Sequence, residues 1–230
     1  RTSKYDNLLR YEGYELILKI LRYLYQIDAY ISIAEVARER GFVFAEALPL
    51  GGNILEIEGM FHPLIENAIP NSIQADAEHN VVFLTGANMA GKSTFMKTFG
   101  IVVYLAHMGF PLPVKKMRFS VQNGMYTTIN LPDNMMLGYS HFYAEVQRLK
   151  KVAEQVGRIG NLVIVFDELF RGTNVKDAHE ATLAVMEAFA EKKNCIFMIS
   201  THIIEAGEDL KKRGDNISYV YLPTVMKDGR

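Results

Sequence analysis

Cysteine is nearly absent: Cys195 is alone in 230 residues, which excludes an intrachain disulfide framework. Its setting, Asn194-Cys195-Ile196-Phe197-Met198-Ile199, reads as a buried strand thiol and points to a reducing compartment, most simply the cytoplasm. No stretch approaches the ~18–20 uninterrupted apolar residues of a membrane span, so no membrane partner is expected. Charge of one sign is also missing. With 25 basic and 26 acidic residues the formal net charge is −1, which excludes a broad basic face gripping nucleic acid. There is no internal repeat and no low-complexity linker. The sequence starts at Arg1, without a signal peptide or initiator methionine, and breaks off at Lys227-Asp228-Gly229-Arg230, so we expect a piece of a longer protein. What is present is apolar mass, 49% of the residues, enough for one or two globular domains with a large core.

The first forty residues read as helix. Ile17, Leu24 and Ile31 repeat at seven, with Ile20, Ile27 and Ala34 beside them, an a/d-type seam that Gly41 ends as a C-cap residue would. Two readings stay open for this arm: an amphipathic helix packed on its own domain, or the stump of a longer lever. From Phe42 the pattern changes to short apolar strands alternating with helices. Ile54–Ile57, Val81–Thr85, Leu162–Phe166, Ile196–Ser200 and Ile217–Leu222 read as strands. The middle three are near-continuous apolar runs that suit burial on both sheet faces. Stripes at Phe95, Phe99, Val102, Val103 and Ala106, at Phe142, Val146, Leu149, Ala153 and Val156, and at Ala181, Ala184, Val185, Ala188 and Phe189 read as helices. Gly109, Pro111 and Pro113 stop the first of them. The alternation predicts an α/β fold with a mostly parallel sheet flanked by helices. Residues 117–130 read instead as an antiparallel pair turning at Asn123-Gly124.

Residues 86–93, Gly-Ala-Asn-Met-Ala-Gly-Lys-Ser, follow a β-branched strand and open a helix, the context of a complete phosphate-binding loop. Gly86 and Gly91 let the chain wrap so that successive N–H groups face phosphate oxygens. Lys92 can reach the β- and γ-phosphates, Ser93 is free to ligate Mg²⁺, and the helix N-terminus adds its positive dipole end. A second apolar strand ends in Asp167-Glu168. The first acid suits Mg²⁺, and the second can take a proton from an attacking water. A third strand ends in Ser200-Thr201-His202, where His202 can hydrogen-bond a γ-phosphate or position that water. Ser140, in Gly138-Tyr-Ser-His-Phe-Tyr-Ala-Glu145, sits at a helix N-cap, either as a simple cap or as an anion site.

Together these segments resemble the ATPase domain of the MutS DNA mismatch-repair family, a dimeric branch of the ABC-type P-loop ATPases. Thr85-Gly-Ala-Asn-Met-Ala-Gly-Lys-Ser-Thr94 is close to T-G-P-N-M-G-G-K-S-T. Asp167-Glu-Leu-Phe-Arg-Gly-Thr-Asn174 is similar to D-E-x-G-R-G-T-S. Ser200-Thr-His202 resembles A-T-H, Ser140-His-Phe-Tyr-Ala-Glu145 resembles S-T-F-M-x-E, and His62-Pro63 resembles the end of R-H-P. The resemblance covers about residues 14–222. It divides the chain into a helical arm, 1–41, and an ATPase domain, 42–230, that stops short of the family's C-terminal helix-turn-helix. It implies that Gly86, Ala87, Asn88, Met89, Ala90, Gly91, Lys92, Ser93 and Thr94 bind ATP. Ser93 and Asp167 would hold Mg²⁺, Glu168 would activate water, and His202 would sense the γ-phosphate or orient that water. It further implies that Ser140 caps the nucleotide of a second copy, so that ATP closes a homodimer and hydrolysis opens it, with DNA contacted by parts outside this chain. Some positions depart from the pattern. Ala87 and Ala90 replace a proline and a glycine, and Phe170 stands where glycine is usual. Ala68 replaces an aromatic that packs on adenine, leaving Ile69 an apolar contact and predicting weak base stacking.

Two other functions share parts of this sequence. Another ABC-type chromosome or repair ATPase would carry a long inserted coiled coil, which this sequence lacks. A nucleotide-gated dimerisation module with negligible turnover would use ATP as a glue; the intact Glu168 and His202 argue against it, and Phe170, next to the subunit contact that the resemblance implies, keeps it open.

Overall fold

The computed structural model describes residues 2–87, 90–129, 141–170, 172–201, 209 and 217–222. Contacts divide the chain into two units, Arg1–Phe42 and Val43–Arg230. The first contains α1 (Thr2–Asn7), a π-helical turn (Leu8–Glu12) and the long α2 (Tyr14–Arg40). Glu15 in the first turn of α2 and Arg38 and Arg40 in its last turn complement the helix dipole. Gly41 ends the helix in the left-handed conformation, φ 67°, its N–H bonded to Ala37 O, as the C-cap reading requires. No residue of α2 is buried, and Ile20, Leu24, Ile27 and Ile31 are exposed.

The second unit holds two sheets. A small one runs β1 (Glu46–Leu48), β5 (Lys116–Ser120), β2 (Leu55–Met60), β3 (Asn71–Ala75) in spatial order. A large one runs β6 (Gly124–Thr128), β7 (Leu162–Phe166), β8 (Ile196–Ser200), β4 (Val81–Gly86), β9 (Ile217–Leu222). All four pairings in the large sheet are parallel, so the predicted α/β class holds. Every residue of β7 and β8 is buried, as their unbroken apolar runs demanded.

Strand alternation distributes these side chains between two cores. Val82 and Leu84 of β4 join Val163, Val165 and Met198, packing with α3 (Lys92–His107) and the small sheet around Phe99, Met117 and Phe119. Val81 and Phe83 point the other way and join Ile164, Phe166, Phe197 and Ile199 under α5 (Val175–Ala190) and α4 (His141–Arg158). In that second core Phe189 stacks between Phe197, at 4.3 Å, and Phe166, at 6.2 Å. Each such ring pair is worth about 0.5–1.5 kcal/mol beyond area burial. Buried amides close the lower end of the large sheet. Asn80 Nδ2 donates to Phe189 O, Lys192 O and Cys195 O, and Asn53 Nδ2 donates to Lys193 O and Cys195 O.

The antiparallel pair expected within 117–130 does not form. β5 lies in the small sheet between β1 and β2, whereas β6 lies parallel to β7 at the edge of the large one. Asn123 does not turn the chain back. Its N–H donates to Asn161 O and its Nδ2 to Gly160 O, and Gly124 keeps an ordinary φ, outside the positive-φ set. His107 and Gln122 brace this crossing between sheets: the Gln122 N–H donates to His107 Nε2 at 3.0 Å, and His107 Nδ1 lies 2.8 Å from Val103 O.

Cys195 is fully buried and unpaired. Burial pushes its thiol up, outweighing the N–H groups of Leu162 and Asn161 that favour the thiolate. Iodoacetamide is therefore expected to modify it no faster than the protein unfolds globally. Rapid labelling under native conditions, measured by mass spectrometry, would contradict this burial.

Candidate functional site

Parallel pairing brings the sequence motifs to one sheet edge. β4 runs beside β8 with Leu84 opposite Ser200, and β8 runs beside β7 with Ile199 opposite Phe166. The loop after Gly86, the acids after Phe166 and Thr201 after Ser200 therefore leave three adjacent strands at their carboxyl ends, where open α/β sheets hold ligands.

The two glycines of the phosphate loop answer different demands. Gly86 has φ 154°, and a Cβ there would meet Leu222 O at 2.7 Å, so β4 and β9 approach this closely only without a side chain. Gly91 is the N-cap of α3 with φ 90° and open space around it. Its carbonyl accepts the Phe95 N–H at 2.8 Å. Lys92 is buried, and its ammonium donates to Gly86 O at 2.7 Å and Ala87 O at 3.1 Å. A cation satisfied by two neutral carbonyls of its own loop can exchange them for anionic oxygens without first being desolvated. Ser93 and Thr94 follow in the first turn of α3. Asn88, Met89, Ser140 and His202 lie outside the described residues.

Asp167 and Glu168 occupy a sharp exit from β7. Glu168 has φ 54° and Phe170 φ 60°, and each non-glycine residue in that region costs roughly 1–2 kcal/mol. The surroundings hold the turn. The Ser200 hydroxyl donates to Asp167 Oδ1 at 2.6 Å and accepts the Glu168 N–H at 2.9 Å, while Ser200 O accepts the Leu169 N–H at 3.3 Å. Phe170 is only 3% exposed. Its ring sits 5.9 Å from that of Phe142 in the first turn of α4. A bulky side chain at a position where glycine is usual is thus accommodated by packing inward. The next helix, α5, starts at an Asn174 cap that accepts the Asp177 N–H.

A cavity of about 300 Å³ opens beside the phosphate loop. Its lining includes Ala90, Gly91 and Thr94 at the start of α3, and Phe61, His62, Ala68 and Ile69 from the segment after β2. Ala68 and Ile69 both line this cavity. Phe61 and His62 are two rings there to which the sequence reading gave no ligand role. The Leu64 N–H donates to His62 Nδ1, which fixes the ring's tautomer. Among the described residues no three His, Cys, Asp or Glu side chains cluster to hold a metal ion. One carboxylate and one hydroxyl fit an ion that keeps waters and is completed by substrate phosphates, as Mg²⁺ is. No helix among the described residues is long and apolar enough to cross a membrane.

Comparison with known proteins places the chain among relatives of one family. The profile of the family described as MutS domain V matches residues 82–227. Three proteins named DNA mismatch repair protein MutS are among the relatives. That of Lactococcus lactis subsp. cremoris (strain SK11) is 30% identical over 210 residues, 89% of this chain and 24% of its own length. That of Desulforamulus reducens is 30% identical over 231 residues, 92% and 26%. That of Thermus aquaticus is 31% identical over 194 residues, 83% and 23%. The chain spans about a quarter of the length of these curated relatives.

The two loop glycines separate on mutation. G86A forces its Cβ against the Leu222 backbone and is expected to lower unfolding stability by about 2–3 kcal/mol, whereas G91A adds backbone strain alone, about 1 kcal/mol. Equal shifts in chemical denaturation would contradict this assignment.

Proposed function

The chain belongs to the MutS family of DNA mismatch-repair proteins, through its domain V, and from that premise we propose that it binds ATP with Mg²⁺ and hydrolyses it. The observation that carries this reading is the 300 Å³ cavity adjoining the phosphate loop, on the sheet edge where Asp167 and Glu168 emerge. The cavity takes the base, the loop amides and Lys92 take the phosphates, and the acids lie at the end of β7, beyond β8 from the loop strand.

Each residue then has a separate task. Lys92 gives up Gly86 O and Ala87 O for the β- and γ-phosphate oxygens, and the N–H groups opening α3 bind the same anion. Ser93 and Asp167 would hold Mg²⁺, which when bound would neutralise charge on the transferring phosphoryl group. Glu168 accepts the proton of the attacking water, and His202 orients that water or senses the γ-phosphate. Ser140 caps the nucleotide of a second copy, so ATP closes a homodimer. The arm, 1–41, carries that motion toward parts of the whole protein that meet DNA.

The rival reading, a dimerising module without turnover, drew support from Phe170 at the expected subunit contact. That ring is buried among residues of its own unit, which speaks for the hydrolytic reading. Base recognition passes to another ring: with alanine at 68, His62 is the aromatic that packs on adenine.

Steady-state phosphate release tests hydrolysis. E168Q is expected to lower kcat by at least about 100-fold while retaining nucleotide affinity, and K92A to abolish binding measured with a fluorescent ATP analogue. Equal, near-zero release by wild type and E168Q would leave the non-hydrolysing module instead. For the base, H62A is expected to weaken ATP binding about tenfold and leave pyrophosphate binding unchanged. Parallel loss of both ligands would contradict stacking by His62.

A further inference from the structure

Ser200 was read from sequence only as the residue before Thr201-His202, and the hydrolytic scheme assigns it no task. Yet it is fully buried and contacts the acidic turn three times. Its hydroxyl donates to Asp167 Oδ1, the same oxygen atom accepts the Glu168 N–H, and its carbonyl accepts the Leu169 N–H. One residue of β8 thereby fixes the carboxylate of the first acid and the backbone of the second.

We propose that Ser200 is a positioning residue for the acid pair, holding Asp167 in one carboxylate orientation and Glu168 in its left-handed conformation. This rests on the hydrolytic reading above. Chain geometry gives the physical reason. In the parallel register Ile199 lies opposite Phe166, so Ser200 falls beside Asp167, where β7 leaves the sheet. Glu168 turns out of that strand with φ 54°, a conformation that its own side chain disfavours. An acceptor placed on its N–H selects that conformation. The same hydroxyl must donate elsewhere, and the only proton it carries goes to Asp167. The two bonds are therefore coupled: the backbone of Glu168 is turned when the carboxylate of Asp167 is held. On the far side of the turn the buried Phe170 ring, in contact with Phe142, anchors the loop to α4. The left-handed pair Glu168 and Phe170 is thus clamped at both ends, by a hydrogen bond from β8 and by packing on α4.

The test uses the chain as it stands, with S200A, S200T and S200C as variants. Alanine occupies this position in the A-T-H pattern, so S200A is expected to fold, and thermal unfolding checks each variant. Amide exchange followed by NMR reads the backbone directly. In S200A the Glu168 N–H is expected to exchange about tenfold faster or more, while the β7 and β8 amides keep their protection. In the same variant kcat is expected to fall about tenfold with KM for Mg·ATP within about twofold, because orientation rather than binding is lost. S200T, which keeps the hydroxyl, restores both readouts, and S200C, with a weaker donor, lies between. A Glu168 amide still protected in S200A, or an unchanged kcat beside faster exchange, would overturn the proposal. If the wild type itself releases no phosphate, the hydrolytic reading fails instead, and the exchange measurement alone then decides whether Ser200 positions the turn.

Discussion

The parallel register of three strands is the constraint from which the rest of the site follows. β7, β8 and β4 are buried on both faces, and their ladder leaves little freedom of slippage, since a one-residue shift would exchange the inhabitants of two cores. With Val82 and Leu84 committed to one core and Val81 and Phe83 to the other, the carboxyl ends of the strands are fixed in height relative to one another. The phosphate loop, the acid pair and Ser200 inherit their separations from that packing. The loops themselves need only local devices: glycine where β4 meets β9, the lysine folded onto its own carbonyls, and the serine beneath the acids.

Those local devices show where a chain of this family can vary. Position 170 takes phenylalanine in a left-handed conformation because a nearby core receives the ring. Backbone strain at the turn is offset by burial of a large aromatic, a contribution on the order of 2–3 kcal/mol for a fully buried side chain. The change is bulky in sequence but leaves the acidic loop within its own unit. Position 68 shows a different kind of change. There a ring is absent, and the neighbouring cavity contains Phe61 and His62, so the chemistry of a base contact can move along the wall without altering the loop.

Much of this was legible in the sequence, for reasons specific to each element. Leu162–Phe166 and Ile196–Ser200 were readable to the residue because strands buried on both faces are written as unbroken apolar runs. Gly41 was readable because only glycine enters the left-handed region freely. β1, Glu-Ala-Leu, and β3, Asn-Ser-Ile-Gln-Ala, were not, being short and half polar. The Asn123-Gly124 dipeptide misled because turn propensity is local, whereas long-range bonds to Gly160 and Asn161 decide where β6 goes. Ser200 carried no signal of its own. A serine at a strand end is common, and its role appears only when the register sets it against Asp167.

The central claim is that one sheet edge closes around a magnesium triphosphate. Titrating Mg·AMP-PNP into isotopically labelled protein and recording ¹H–¹⁵N shifts tests it most directly. The account predicts the largest changes at Gly91, Lys92, Glu168 and Thr201, with the opposite ends of the same strands, Val81, Leu162 and Ile196, almost unmoved. Changes concentrated away from the carboxyl ends of β4, β7 and β8, or none at saturating nucleotide, would contradict it.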